Sequence, residues 1–182
     1  MPNYTRNFIP GGTFFFTVVT HERRTWLCSD AARTSLRQAI DKVRRNLAFS
    51  IDAWVLLPDH LHCIWTLPPG DTDYSSRWRL IKGYVSKSFA DECDDELLSP
   101  SRLKRRERGL WQRRFWEHTI RDEADFAAHC NYIHYNPVKH GLCTSSREWP
   151  FSTFHSFVKS GVYGVDWGGG NIARLMEGVG GE

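Results

Sequence analysis

His60 and His62 stand one residue apart in the stretch HLHCIWTL, residues 60–67. Much later comes Tyr132-Ile133-His134-Tyr135-Asn136-Pro137. Side chains at i and i+2 of a β-strand share a face, with Cβ atoms roughly 6–7 Å apart. Two imidazoles at that spacing can converge on one cation, and a third ligand must then come from elsewhere. On spacing alone, the pair also fits ordinary surface or packing histidines. Tyr132 and Asn136 are i and i+4, so on a helix they share a face, separated by a rise of about 6 Å. If that face covers the histidines, the Asn136 amide oxygen can be the third ligand. The Tyr132 hydroxyl then points at a phosphate held by the metal. His129, one turn earlier, reaches the same face. A core tyrosine followed by an Asn near a helix end fits the same spacing.

An activated phenolate is a competent covalent nucleophile. A metal ion polarises a phosphate and neutralises the charge that develops on it. Together they would leave a phosphotyrosine ester on one DNA end and a free hydroxyl on the other. The ester conserves bond energy, so the step can reverse and rejoin strands. Two imidazoles and one amide leave coordination positions for phosphate and water, and Mg²⁺ or Mn²⁺ is expected. Tyr135 competes with Tyr132 as nucleophile, but it precedes Asn136-Pro137, where helical geometry is expected to fail.

The elements must position these groups. Residues 13–20, TFFFTVVT, read as a strand. Ser29 or Asp30 can cap a helix to about residue 46, with Leu36, Ile40 and Val43 at helical period. Residues 51–57 and 60–67 read as two strands broken at Pro58-Asp59. In the second, Leu61, Cys63, Trp65 and Leu67 form an apolar face, and His60, His62, Ile64 and Thr66 form the other. A helix is expected over about 76–90, with Trp78, Ile81, Val85 and Phe89 as its stripe. A fourth strand of noisy alternation is expected over 110–120. Asp122 can cap a last helix from 123 to about 135, limited by Pro137. This β-α-β-β-α-β-α order predicts an α+β fold: a ferredoxin-like antiparallel sheet with helices on one face and the active site on the other.

With 182 residues, the chain is long enough for one domain with a real core. The expected division is a domain over 1–163 and a tail over 164–182, because residues 160–182 hold eight of the fourteen glycines. The net charge of +3 is a weak signal; its distribution says more. Arg102, Lys104, Arg105, Arg106, Arg108, Arg113 and Arg114 crowd one segment opposed only by Glu107. That run is the candidate DNA contact surface, although such blocks also occur as solvated faces. The five cysteines are odd in number and widely spaced, which argues against a disulfide scaffold and for a reducing compartment. No secretory region, no membrane span and no glycine-rich phosphate loop is read in the chain, and a cytoplasmic, nucleoid-associated location is expected.

From about Tyr4 to Tyr163 the chain resembles the REP-associated tyrosine transposases, a branch of the single-tyrosine His-hydrophobic-His endonucleases. The resemblance is carried, in order, by Pro58-Asp59-His60-Leu61-His62, by Trp111-Gln112-Arg113-Arg114-Phe115-Trp116-Glu117-His118, and by Tyr132 through Leu142. It implies that His60 and His62 bind the metal and that Tyr132 is the nucleophile. Asn136 stands where related transposases place a glutamine ligand. It further implies single-stranded DNA with palindromic repeat hairpins as partner, cut and rejoined through a 5′-phosphotyrosine. Related insertion-sequence enzymes are dimers that exchange tyrosine helices. The repeat-associated branch resembles a monomer with its tail near the site, and that arrangement is expected here. Two alternatives remain: a hairpin-binding protein without cleavage, and a metal nuclease that uses water.

Overall fold

The computed structural model describes residues 7–89 and 109–168. The strands are β1 (Thr13–Val19), β2 (Ser50–Leu56), β3 (His60–Thr66) and β4 (Trp116–Thr119). The helices are α1 (Asp30–Asn46), α2 (Tyr74–Ser88), α3 (Glu123–Lys139) and the short α4 (Phe154–Lys159). The strands form one antiparallel sheet in the order β2-β3-β1-β4. β1 and β3 are therefore central, and their register sets the site: Val19 lies opposite His60, Thr17 opposite His62 and Phe15 opposite Ile64.

Alternation along the strands separates two apolar layers. Phe14, Phe16, Val18, Leu61, Cys63 and Trp65 face α1 and α2. Trp65 stacks on Trp78 of α2 with ring centroids 4.1 Å apart. Truncating a ring so placed costs roughly 3–5 kcal/mol. The second layer holds Phe15, Ala53, Val55 and Ile64 against Cys130, Tyr132 and Ile133 of α3. Helices thus cover both faces. The expectation of helices on one face holds for α1 and α2, while α3 lies across the opposite face, because its own apolar stripe needs Phe15 and Ile64 to cover it.

Two element boundaries differ from the sequence reading. β4 is only four residues long; before it, Trp111 makes an isolated bridge to Thr20. More consequential, α3 does not stop before Pro137 but runs through it to Lys139. Proline removes one donor and strains one turn, a cost confined here to the last turn. The helix ends instead at Gly141, which has φ of +67°. The Gly141 amide donates to the Val138 carbonyl at 2.9 Å and the Leu142 amide to the Pro137 carbonyl at 2.9 Å, which is a Schellman closure. At the other end, Asp122 caps α3 as expected by accepting from the Asp125 amide.

Candidate active site

The site is built on the face shared by β1, β3 and α3. His60 and His62 are both buried, with ring centroids 4.9 Å apart and planes at 80°. Each ring is held at Nδ1. The His60 Nδ1 lies 2.6 Å from Asp59 Oδ1, and His62 Nδ1 lies 2.9 Å from Thr17 Oγ1. With Nδ1 carrying the proton and donating, Nε2 presents its lone pair on the far edge of each ring. Such partners orient metal-binding histidines and raise their basicity. Asp59 also accepts from Arg23 at 3.0 Å. Burial opposes its charge, but the bonds from His60 and Arg23 prevail and hold its carboxyl below the usual range.

Tyr132 reaches this pair from α3. Its ring lies 5.2 Å from that of His62 and 5.9 Å from Phe15, which itself stacks on His62 at 5.4 Å. Asn136 follows one turn later on the same helix, fully buried. Its Oδ1 and the Nε2 atoms of both histidines are shielded from solvent. Two imidazole nitrogens and an amide oxygen are a donor set suited to a divalent cation of intermediate hardness. Tyr135 departs from the site: it is half-buried beside Gly168 of the C-terminal segment, near enough that a Cβ there would lie 3.8 Å from its ring.

Residues the sequence reading passed over complete the site. Because α3 continues past Pro137, Lys139 and His140 hang over it. Lys139 Nζ donates to the Tyr132 hydroxyl at 3.3 Å and sits 4.9 Å from the ring centre. His140 packs against His60 at 5.0 Å. The signal for this was Gly141, a helix stop placed just beyond both residues.

Beside Phe15 lies a second cluster, His118, Asp125 and His129, whose ligand atoms fall within 4.8 Å of one another and can coordinate a divalent ion. His118 Nε2 is 2.9 Å from Asp125 Oδ2, and His129 Nδ1 donates to the Asp125 carbonyl at 2.8 Å. Burial works against the Asp125 charge, yet bonds from His118 and Arg121 bring its pKa down to about 2. Burial also lowers the pKa of His129. In the sheet register His118 faces Phe15, two residues along β1 from Thr17, the partner of His62, so His118 and His62 lie two strands and roughly 12 Å apart at the backbone. Of the basic run, Arg113 and Arg114 are exposed near β4. Arg102, Lys104, Arg105, Arg106 and Arg108 lie outside the described residues.

A buried His-Leu-His strand in an antiparallel sheet, with a tyrosine helix packed on the histidine face, defines a tyrosine transposase scaffold, and the model of the family described as "Transposase IS200 like" matches residues 13–136. A REP-associated tyrosine transposase of Escherichia coli K12 is 49% identical over 169 residues, covering 93% of this chain and 92% of that protein. A Haemophilus influenzae relative is 41% identical over 169 residues, covering 93% of this chain and 94% of its own. A solved structure of a REP-associated tyrosine transposase bound to a REP hairpin superposes with a TM-score of 0.78 at 47% identity, covering 93% and 92% of the two chains. The chain belongs to the REP-associated tyrosine transposases. It is a tyrosine transposase of the His-hydrophobic-His class, and an enzyme.

Proposed function

We propose that this enzyme cuts and rejoins single-stranded DNA beside a palindromic repeat hairpin, with Tyr132 as nucleophile. The observation that carries the reading is the packing of the Tyr132 ring against His62, a histidine already fixed through Nδ1 by Thr17. A solved relative is bound to a REP hairpin, and similarity over nearly the whole chain supports the same partner here. His60, His62 and Asn136 would hold Mg²⁺ or Mn²⁺, which supplies polarisation of the scissile phosphate and charge neutralisation. Asp59 and Thr17 keep the two rings oriented, Phe15 walls the site, and α3 fixes the Tyr132 hydroxyl in place. Attack by that hydroxyl forms a 5′-phosphotyrosine and releases a 3′-hydroxyl, and attack by a 3′-hydroxyl reverses the step.

The sheet, with β-α-β-β-α-β order and α1 and α2 packed together on one face, supports the ferredoxin-like reading of the fold. Tyr132 packs on His62 of its own chain, which supports a monomer cutting in cis. We propose that it works on the nucleoid, in the cytoplasm. The cluster of His118, Asp125 and His129 offers a second reading of where a divalent ion sits.

The test is incubation of the protein with end-labelled hairpins carrying single-stranded flanks, plus Mn²⁺. Cleavage should leave protein covalently attached to one DNA end on a denaturing gel. Tyr132→Phe should keep hairpin affinity and lose the adduct, and Tyr135→Phe should keep both. An adduct persisting in Tyr132→Phe would overturn the nucleophile. Cleavage without any adduct would favour the water-using nuclease, and binding without cleavage the hairpin-binding protein. For the basic run, neutralising Arg105, Arg106 and Arg108 together should weaken hairpin binding and reduce its salt dependence, since each lost phosphate contact lowers the slope by about one. An unchanged slope would place the DNA on another surface.

A further inference from the structure

The extension of α3 past Pro137 puts an ammonium beside the nucleophile. Lys139 lies seven residues beyond Tyr132, a rise of about 10.5 Å. Helical side chains lean toward the N-terminus, so a lysine two turns on can reach back along the same face. Its Nζ donates to the Tyr132 oxygen at 3.3 Å and also lies over the ring at 4.9 Å. Lys139 itself is exposed while Tyr132 is buried. The ammonium therefore stands between solvent and the phenolic oxygen, at the place where a phosphate must approach. The neighbouring His140 rests on His60, so the same turn of chain is anchored to the metal-side histidine. The Schellman closure at Gly141 fixes that turn.

We propose that Lys139 is a catalytic residue that stabilises charge on the Tyr132 oxygen and protonates it when tyrosine leaves. This rests on Tyr132 being the nucleophile. In cleavage, the Tyr132 oxygen bonds to phosphorus and its proton passes to water. The bond from phosphorus to the DNA 3′ oxygen breaks, and that oxygen takes the electron pair and a proton from water. In rejoining, a DNA 3′-hydroxyl attacks the same phosphorus and gives its proton to water. The bond from phosphorus to the tyrosine oxygen breaks, the electron pair stays on that oxygen, and Lys139 supplies the proton. Lys139 then regains a proton from water, so each direction balances. A resting hydrogen bond longer than the usual charge-assisted length is expected to tighten once phosphate is bound.

The experiment isolates the covalent adduct, then adds a strand bearing a free 3′-hydroxyl and follows rejoining. Lys139→Met, on an exposed side chain, should leave thermal stability unchanged and slow rejoining of the isolated adduct about 100-fold. Lys139→Arg should slow it less. Replacing Tyr132 by 3,5-difluorotyrosine in the Lys139→Met protein should restore most of the lost rate, because a more acidic phenol leaves without a proton. A merely structural lysine would show no such rescue. Rejoining at the unmodified rate in Lys139→Met, or slowing that fluorination does not relieve, would overturn the proposal while leaving Tyr132 in place. An adduct that survives Tyr132→Phe would instead overturn the nucleophile beneath it.

Discussion

Asp59 and Thr17 stand directly behind His60 and His62, the proposed ligands. The Asp59 carboxylate can only accept, so it selects the His60 tautomer that leaves Nε2 free of the proton, while Thr17 Oγ1 bonds His62 Nδ1 and holds that ring in orientation. Thr17→Val removes that bond at constant shape and should weaken Mn²⁺ binding about 10- to 100-fold, with the fold intact. His62→Ala removes the ligand and should abolish both Mn²⁺ binding at the site and cleavage. His118→Ala separates the two clusters. If the ion for cleavage sits on His60 and His62, His118→Ala still cleaves and calorimetry still detects the binding that His62→Ala has lost. The reverse pattern, with cleavage lost in His118→Ala and kept in His62→Ala, would move the metal to His118, Asp125 and His129.

Elements decide which of these residues meet, and here the sequence was uneven as a guide. The alternation of HLHCIWTL placed the histidines and the apolar face on the correct sides, because a period of two leaves no freedom once one side is buried. The i,i+4 relation of Tyr132 and Asn136 held for the same local reason. The expected helix end rested on the restriction that Pro137 places on the residue before it, whereas the helix runs on until Gly141 supplies the left-handed residue that closes it. Of the cluster of His118, Asp125 and His129, the i,i+4 spacing of Asp125 and His129 is a local signal, but the approach of His118 from β4 depends on how β4 and α3 fold back on each other, which no local period records. Gly141 gives an element-scale test. A Cβ at this position meets nothing within 4 Å, so a substitution there strains backbone alone. Gly141→Ala should lower stability by about 1 kcal/mol, read as a shift in urea midpoint at constant slope. An Ala variant as stable as the parent would mean that the closure does not constrain the helix end.

At the scale of the whole molecule, the segment after α3 ties the tyrosine helix to the sheet. Thr153 bonds the Trp54 backbone in β2, accepting from its amide at 2.8 Å. It also lies 2.9 Å from His134 Nε2, while His134 Nδ1 is 3.1 Å from the Tyr163 hydroxyl, which donates to Asn131 Oδ1 at 2.9 Å. Tyr163 stacks on Trp167 at 4.3 Å, so this packing continues to the end of the described residues. His134 is thus a buried, hydrogen-bonded link between α3, β2 and the C-terminal segment, and burial lowers its pKa to about 3. An unfolded chain takes up that proton near pH 6.5, whereas the folded one resists it until about pH 3. The stability that His134 contributes as a neutral ring is therefore complete above about pH 6.5 and falls as pH drops below it. Between pH 7 and 5.5 the loss should be about 1 kcal/mol. His134→Gln keeps hydrogen-bonding groups without the titration, so it should start less stable and lose less over that interval. Chemical denaturation of both proteins at the two pH values measures the difference. Equal losses in parent and variant would show that His134 takes up its proton without unfolding this link.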